Sequence, residues 1–213
     1  MIAKRLIVGM LGANCFIFGC EETREAAVID PGGSAEHILQ VINEENLNVK
    51  YIINTHGHID HIAANGQIKE ATGAEILIHE ADSMMLTSDI ANGSMIFLGL
   101  SITSPAPDRF IKDGDVIKVG NTIEFEVIHT PGHSLGGVTL KLENYLICGD
   151  TLFFLGIGRT DLPGGSLETL IKSIKERILC FDDETLCLPG HGQVTNVGYE
   201  RTNNPYLTGK LSF

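Results

Sequence analysis

Residues 55–61 read Thr55-His56-Gly57-His58-Ile59-Asp60-His61, with three imidazoles and a carboxylate among the six residues from His56 to His61. In extended chain His56 and His58 share a face, because side chains alternate with period two. Asp60 and His61 then stand where the next helix should begin and can address a second point. Imidazole with carboxylate suits zinc or iron. A polar surface loop capped by Asp60 would account for one histidine in this stretch, but not for three. Asp150 lies within the apolar run Tyr145–Leu155, where a carboxylate is costly to bury unless it is paired, hydrogen-bonded or metal-bound. His133 and His191 repeat one setting, Pro131-Gly132-His133 and Pro189-Gly190-His191, each just past an apolar run. The tally is five histidines and two aspartates. If two metals share Asp150, one takes His56, His58 and His133, and the other takes Asp60, His61 and His191. Each ion then has four protein ligands and an open edge for a bridging hydroxide, as two-metal hydrolysis needs.

Short apolar runs alternate with amphipathic ones between Gly, Pro and Asn punctuation. The pattern predicts strands over 2–8, 15–19, 26–29, 51–54, 75–78, 116–119, 123–128, 137–142, 145–147 and 185–188. It predicts helices from a Ser34 cap to about Glu45, from an Asp60 cap to about Ala71, near 81–87, over 166–179 and near 196–201. Residues 88–110 read as a long irregular loop with an apolar patch at Met95–Leu100, and such loops are often functional. Strands in clusters with helices between them indicate a layered α/β architecture.

The length, 213 residues, fits one domain spanning 1–213. Acidic residues outnumber basic ones 27 to 15, a net charge of −12. The densest basic cluster is only Lys172, Lys175 and Arg177. Nucleic-acid partners are therefore not expected, since phosphate neutralisation supplies most of their affinity. No apolar run reaches the length of a membrane span. The five cysteines contain no C-x-x-C pair and read as core residues of a reducing compartment. The apolar stretch after Lys4 and Arg5 is broken by Gly9 and Gly12 and lacks a cleavage signature. The expected location is cytoplasmic.

Taken together, Thr55–His61, Gly132-His133, Gly149-Asp150 and Gly190-His191 resemble, in order and spacing, the metallo-β-lactamase fold along nearly the whole chain. The resemblance implies a four-layer αββα sandwich with a dinuclear site at the sheet edge, holding two divalent ions, zinc first with iron or manganese as alternatives. The stretches 149–153, Gly158-Arg159-Thr160-Asp161, 163–165, 189–192, Glu200-Arg201 and Asn204-Pro205-Tyr206 are similar to small glyoxalase II-type proteins, the hydroxyacylglutathione hydrolases. That implies a small-molecule thioester substrate such as S-lactoylglutathione, attacked by metal-bound hydroxide that Asp60 helps to orient. Arg159 falls where such enzymes place a substrate-binding lysine; pairing with Asp161 is its alternative role. The chain departs from the longer enzymes in two respects. Only residues 192–213 follow His191, with no helical glutathione-binding domain, and Gln193 stands where those enzymes carry a tyrosine.

Three other readings compete. A persulfide dioxygenase-like protein would use one iron on His56, His133 and Asp150, but Pro189-Gly190-His191-Gly192-Gln193 favours the hydrolase. Lactone or lactam hydrolysis is permitted by the same ligands, as is a metal-binding fold without turnover. The G-x-S-x-G match at Gly132–Gly136 lacks the helix that a nucleophile elbow requires, because 138–142 alternates as a strand. His129 is close enough in sequence to His133 to support it, while His37 and His79 read as surface or core residues.

Overall fold

The computed structural model describes residues 1–209. Strand alternation builds its core. In β1 (Ile2–Val8), β2 (Ala13–Gly19), β3 (Glu25–Ile29), β4 (Asn48–Ile53), β5 (Glu75–His79) and β6 (Arg109–Ile111), paired in chain order, both faces of the central strands are apolar. β1–β3 are antiparallel and β3–β6 parallel. Parallel strands covered on both sides read as continuous hydrophobic runs, which is why 26–29, 51–53 and 75–78 are legible without strict alternation.

The second sheet runs β14-β13-β10-β9-β8-β7. It comprises β7 (Val116–Val119), β8 (Ile123–His129), β9 (Val138–Leu142), β10 (Tyr145–Gly149), β13 (Leu186–Pro189) and β14 (Thr195–Asn196). A small hairpin of β11 (Leu152–Phe153) and β12 (Gly156–Ile157) lies outside both sheets. Phe16, Phe18, Ala27, Ile29, Ile53 and Leu77 face Phe125, Val127, Leu140, Ile147 and Leu188 between the sheets. The alternate residues Cys15, Ile17, Ala26, Val28, Ile52 and Ile76 point outward, under α1 (Ala35–Glu44) and α3 (Asn65–Thr72). On the other side Ile128, Leu146, Cys148 and Cys187 lie under α6 (Leu167–Ser173), its π-helical continuation Ile174–Ile178, and α7 (Val197–Asn203). This is the αββα sandwich. No helix among the described residues is long and apolar enough to cross a membrane.

Two expected caps are corrected. Ser34 is in the left-handed region at φ 51° and makes no cap bond to α1; its hydroxyl accepts from Gly9 N–H, tying the β1–β2 turn to this loop. Asp60 does not start one long helix. A single turn, α2 (Ile59–Ile62), begins after His58 and is separated from α3, with Asp60 inside the turn and facing the site. The 88–110 segment contains α5 (Ser94–Leu98) and β6, after α4 (Ser83–Thr87). The four buried cysteines are core residues and Cys180 is exposed.

Phe125 is fully buried between the sheets, so Phe125→Ala should lower stability by about 3–5 kcal/mol. Urea denaturation checks this; a change below about 1 kcal/mol would contradict the two-sheet core.

Candidate metal centre

Five strands end at one edge of the sandwich and each delivers a polar residue there. Asp30 follows β3, His56 follows β4, His133 follows β8, Asp150 follows β10 and His191 follows β13. His58, Asp60 and His61 come from the loop and single turn after β4. The structure brings all seven sequence-selected residues together. His56, His58 and His133 form one group whose ligating atoms lie within 4.8 Å of each other, and Asp60, His61 and His191 form a second. Asp150 sits between them: Oδ1 is 3.4 Å from His61 Nε2, while Oδ2 is 3.6 Å from His133 Nε2 and 3.9 Å from His191 Nε2. Two glycines make this packing possible. Gly149 holds φ 48° with its Cα against Thr55. A Cβ on Gly190 would strike Asp150 Oδ1 and the His61 ring.

The buried hydrogen bonds assign the ring nitrogens. Asp30 is 1% exposed, and its carboxylate accepts from Thr55 N–H at 2.7 Å, from Thr55 Oγ1 at 2.6 Å and from His61 Nδ1 at 3.0 Å. Because the Thr55 hydroxyl proton is committed to Asp30, Thr55 Oγ1 can only accept from His56 Nδ1, 3.2 Å away. His133 Nδ1 donates to the Arg159 carbonyl at 2.7 Å. In neutral rings this leaves Nε2 of His56, His61 and His133 as acceptors. His58 differs, with its Nδ1 2.8 Å from His133 Nε2. His56 Nε2 is buried with no hydrogen-bond partner, and His61 Nε2 and Asp150 Oδ1, equally buried, have no closer partner than each other at 3.4 Å. Such poorly paired atoms carry a desolvation cost that a cation would remove. The donor set, imidazole nitrogens with carboxylates around two points, therefore fits two divalent ions. Fixing a ligand's tautomer from behind is the usual arrangement at metal sites.

Electrostatics divide the cluster. Burial pushes His58 down to about 3, and His133 adds to that effect. Burial likewise holds His56 well below the ordinary imidazole value, reinforced by His61 and His133. Burial opposes charge on His61 too, but Asp150, Asp60 and Asp30 outweigh it and raise its pKa well above the ordinary value. His191 is raised in the same way, its bond to Asp60 overcoming burial. Burial works against the Asp60 and Asp150 carboxylates, yet His61 and its neighbours hold both below the usual range.

Three supporting residues escaped the sequence reading. Asp30 was not singled out, although its signal, a carboxylate ending an apolar strand, is the same one that identified Asp150. Asp82, 1% exposed, accepts from Gly57 N–H, the Ser134 hydroxyl and Gly136 N–H, so it joins the His56–His58 loop to the His133 loop. Asn14 on β2 donates through Nδ2 to the Pro189 and Gly192 carbonyls, anchoring the His191 loop to the first sheet. Ser134 is thereby committed to Asp82, with strand β9 following, so no nucleophile elbow is formed. His129 does not support His133; it stacks on His79 and reaches the Leu135 carbonyl. Arg159 makes a two-point pair with Asp161 and lies over the Phe97 ring. It also lines a cavity of about 310 Å³ together with His58, Asp60, Asn92, Phe97 and Asp150. The 88–110 segment thus supplies one wall of the site through Asn92 and Phe97.

Metal loading must displace the proton on His61, so it should release protons, and affinity should fall as pH drops. Calorimetric zinc titration in two buffers of different ionisation enthalpy should show proton release at pH 7.5 and about tenfold or more weaker binding at pH 5.5. Equal affinity at both would contradict the assignment. Asp82→Ala leaves two backbone donors and a hydroxyl without their acceptor, and should cost on the order of 2 kcal/mol or more in chemical denaturation.

Comparison with known proteins agrees with this geometry. A family model described as the metallo-beta-lactamase superfamily matches residues 8–191. The hydroxyacylglutathione hydrolase GloC of Haemophilus influenzae is 38% identical over 200 residues, covering 92% of this chain and 93% of that protein. Among solved structures, the BLEG-1 B3 metallo-beta-lactamase superposes with a TM-score of 0.93 at 35% identity, over 98% of this chain and 100% of that one. TTHA1623, solved in a di-iron-bound form, gives a TM-score of 0.85 at 32% identity, over 96% and 100%. The family match runs from the end of the first strand to the last histidine of the cluster, and the chain belongs to the metallo-β-lactamase superfamily.

Proposed function

We propose that this protein is a metal-dependent hydrolase of small thioesters, of the S-acyl glutathione kind. The observation that carries the hydrolase reading is the pair of three-residue groups with the buried Asp150 carboxylate between them. The likeness to GloC supports the thioester. Two divalent ions held by these seven residues, zinc first with iron or manganese as alternatives, would supply hydroxide at neutral pH and polarise a carbonyl oxygen.

The chain's own residues do the rest. Asp60 stays ionised beside His191, whose Nε2 is 3.0 Å from its Oδ2, and it lines the substrate cavity, so it can accept a hydrogen bond from the attacking water and orient it. Water adds to the carbonyl carbon, the C–S bond breaks, and the products are a carboxylic acid and a thiol. The thiol is a good leaving group because its pKa is low, and no side-chain nucleophile is needed. Arg159 spends Nε and Nη2 on Asp161 and keeps the two Nη1 donors for an anionic carrier. The likeness to BLEG-1 favours a second reading, lactam hydrolysis at the same site.

Elemental analysis of protein purified without added metal should find about two ions per chain, and the loaded protein should hydrolyse S-lactoylglutathione in preference to a β-lactam. One iron with no second metal would overturn the two-ion site, and β-lactam turnover without thioester turnover would overturn the substrate. Asp150→Ala should reduce thioester hydrolysis by at least about a hundredfold, because it removes the carboxylate between both groups. Near-normal turnover by that variant would contradict the reading.

A further inference from the structure

A second cavity, about 350 Å³, adjoins the one that faces the cluster. Leu11 and Asp60 line both, so an occupant of one would meet an occupant of the other beside Asp60. Its walls come from four separated stretches: Met10 and Leu11 of the β1–β2 turn, the loop 32–34, Ile59 and Ala63 around α2, and Leu98 at the end of α5 with Ile102 beyond it. Apart from Asp60, no charged residue among those described lines it. Ser34, also in the wall, has its hydroxyl engaged with Gly9 N–H. Met10 and Leu11 in its wall are exposed. A concave, mostly apolar space with one polar end is the usual form of a small-molecule subsite.

We propose that this cavity is the acyl subsite, and that the preferred substrates carry an apolar straight-chain acyl group in place of a short hydroxyacyl group. The inference rests on the thioester reading and names its substrate class. The two halves of a thioester differ in what they need. A soluble thiol carrier is polar and commonly anionic; here the aliphatic walls would leave its polar groups unpaired. The neighbouring cavity offers the guanidinium of Arg159, which suits such a carrier. That leaves the apolar cavity to the acyl chain, with the carbonyl at the shared edge beside Asp60. A hydroxyl on the chain would gain little there, whereas each buried methylene should improve binding by about fourfold.

Binding is read first, by calorimetry of the metal-loaded protein with the non-hydrolysable thioethers S-methylglutathione and S-hexylglutathione. The hexyl compound should bind at least about tenfold more tightly. Ala63→Phe and Leu98→Trp, which fill the cavity from two different walls, should each reduce that gain to less than about threefold. In parallel, kcat/KM is measured for acetyl, lactoyl and hexanoyl glutathione thioesters, with hexanoyl expected to lead. Equal affinity for the two thioethers, or a gain that survives both variants, overturns the subsite. Lactoyl turnover exceeding hexanoyl turnover also overturns it, while leaving the thioester reading intact. A hexyl gain lost in both variants, with none of the thioesters hydrolysed, upholds the apolar site and overturns the thioester reading.

Discussion

The Asp30 carboxylate is buried at the end of a parallel strand, yet it accepts three hydrogen bonds from two residues of the next loop. One of them runs directly to His61 Nδ1. Another fixes the Thr55 hydroxyl, which in turn can only accept from His56 Nδ1. A single buried anion therefore turns the Nε2 atoms of two imidazoles, one from each group, toward the space between them. Without that acceptor both rings could flip or change tautomer, and the cluster would not be a site. Burying a carboxylate is costly, and the full set of donors around Asp30 offsets the cost.

The remaining geometry serves to keep separate pieces of chain in register with that carboxylate. Two sheets contribute, and their inner faces interlock through an apolar core, so the strand ends at one edge cannot shift independently. Asn14 links the first sheet to the His191 loop, and Asp82 links the His56–His58 loop to the His133 loop. These links run between residues far apart in sequence. They bring together candidate metal ligands that come from positions as distant as 56 and 191. Interiors packed at native density transmit such constraints well. The result is a rigid cluster beside two cavities of different polarity, which is what discrimination between the two halves of a substrate requires.

The metal-type residues were legible in the sequence because their chemistry is unusual at their spacing. Three histidines in six residues, and an aspartate inside an apolar run, are hard to reconcile with ordinary surface. The strands were legible because burial on both faces leaves continuous apolar runs. The supporting shell was not. Asp82 lies among polar neighbours such as Glu80 and Ser83, and nothing local distinguishes it; its importance comes from three donors contributed by residues 57, 134 and 136. Ser34 shows the opposite failure. Its type and position match a helix cap, but its φ of 51° and its bond to Gly9 reflect a tertiary contact that overrides the local preference. Asp60 was assigned the right neighbourhood and the wrong local role, since the helix expected through Ala71 is interrupted after one turn.

Buried acceptors fix which nitrogen His56, His61 and His133 present. Long-range proton–nitrogen correlation NMR on zinc-loaded, ¹⁵N-histidine-labelled protein reads this directly. Protons are expected on Nδ1 of His56, His61 and His133 with their Nε2 atoms metal-bound, and metal on Nδ1 of His58, the atom that faces His133 Nε2. A proton on Nε2 of His56 or His61 in the loaded protein would contradict this assignment.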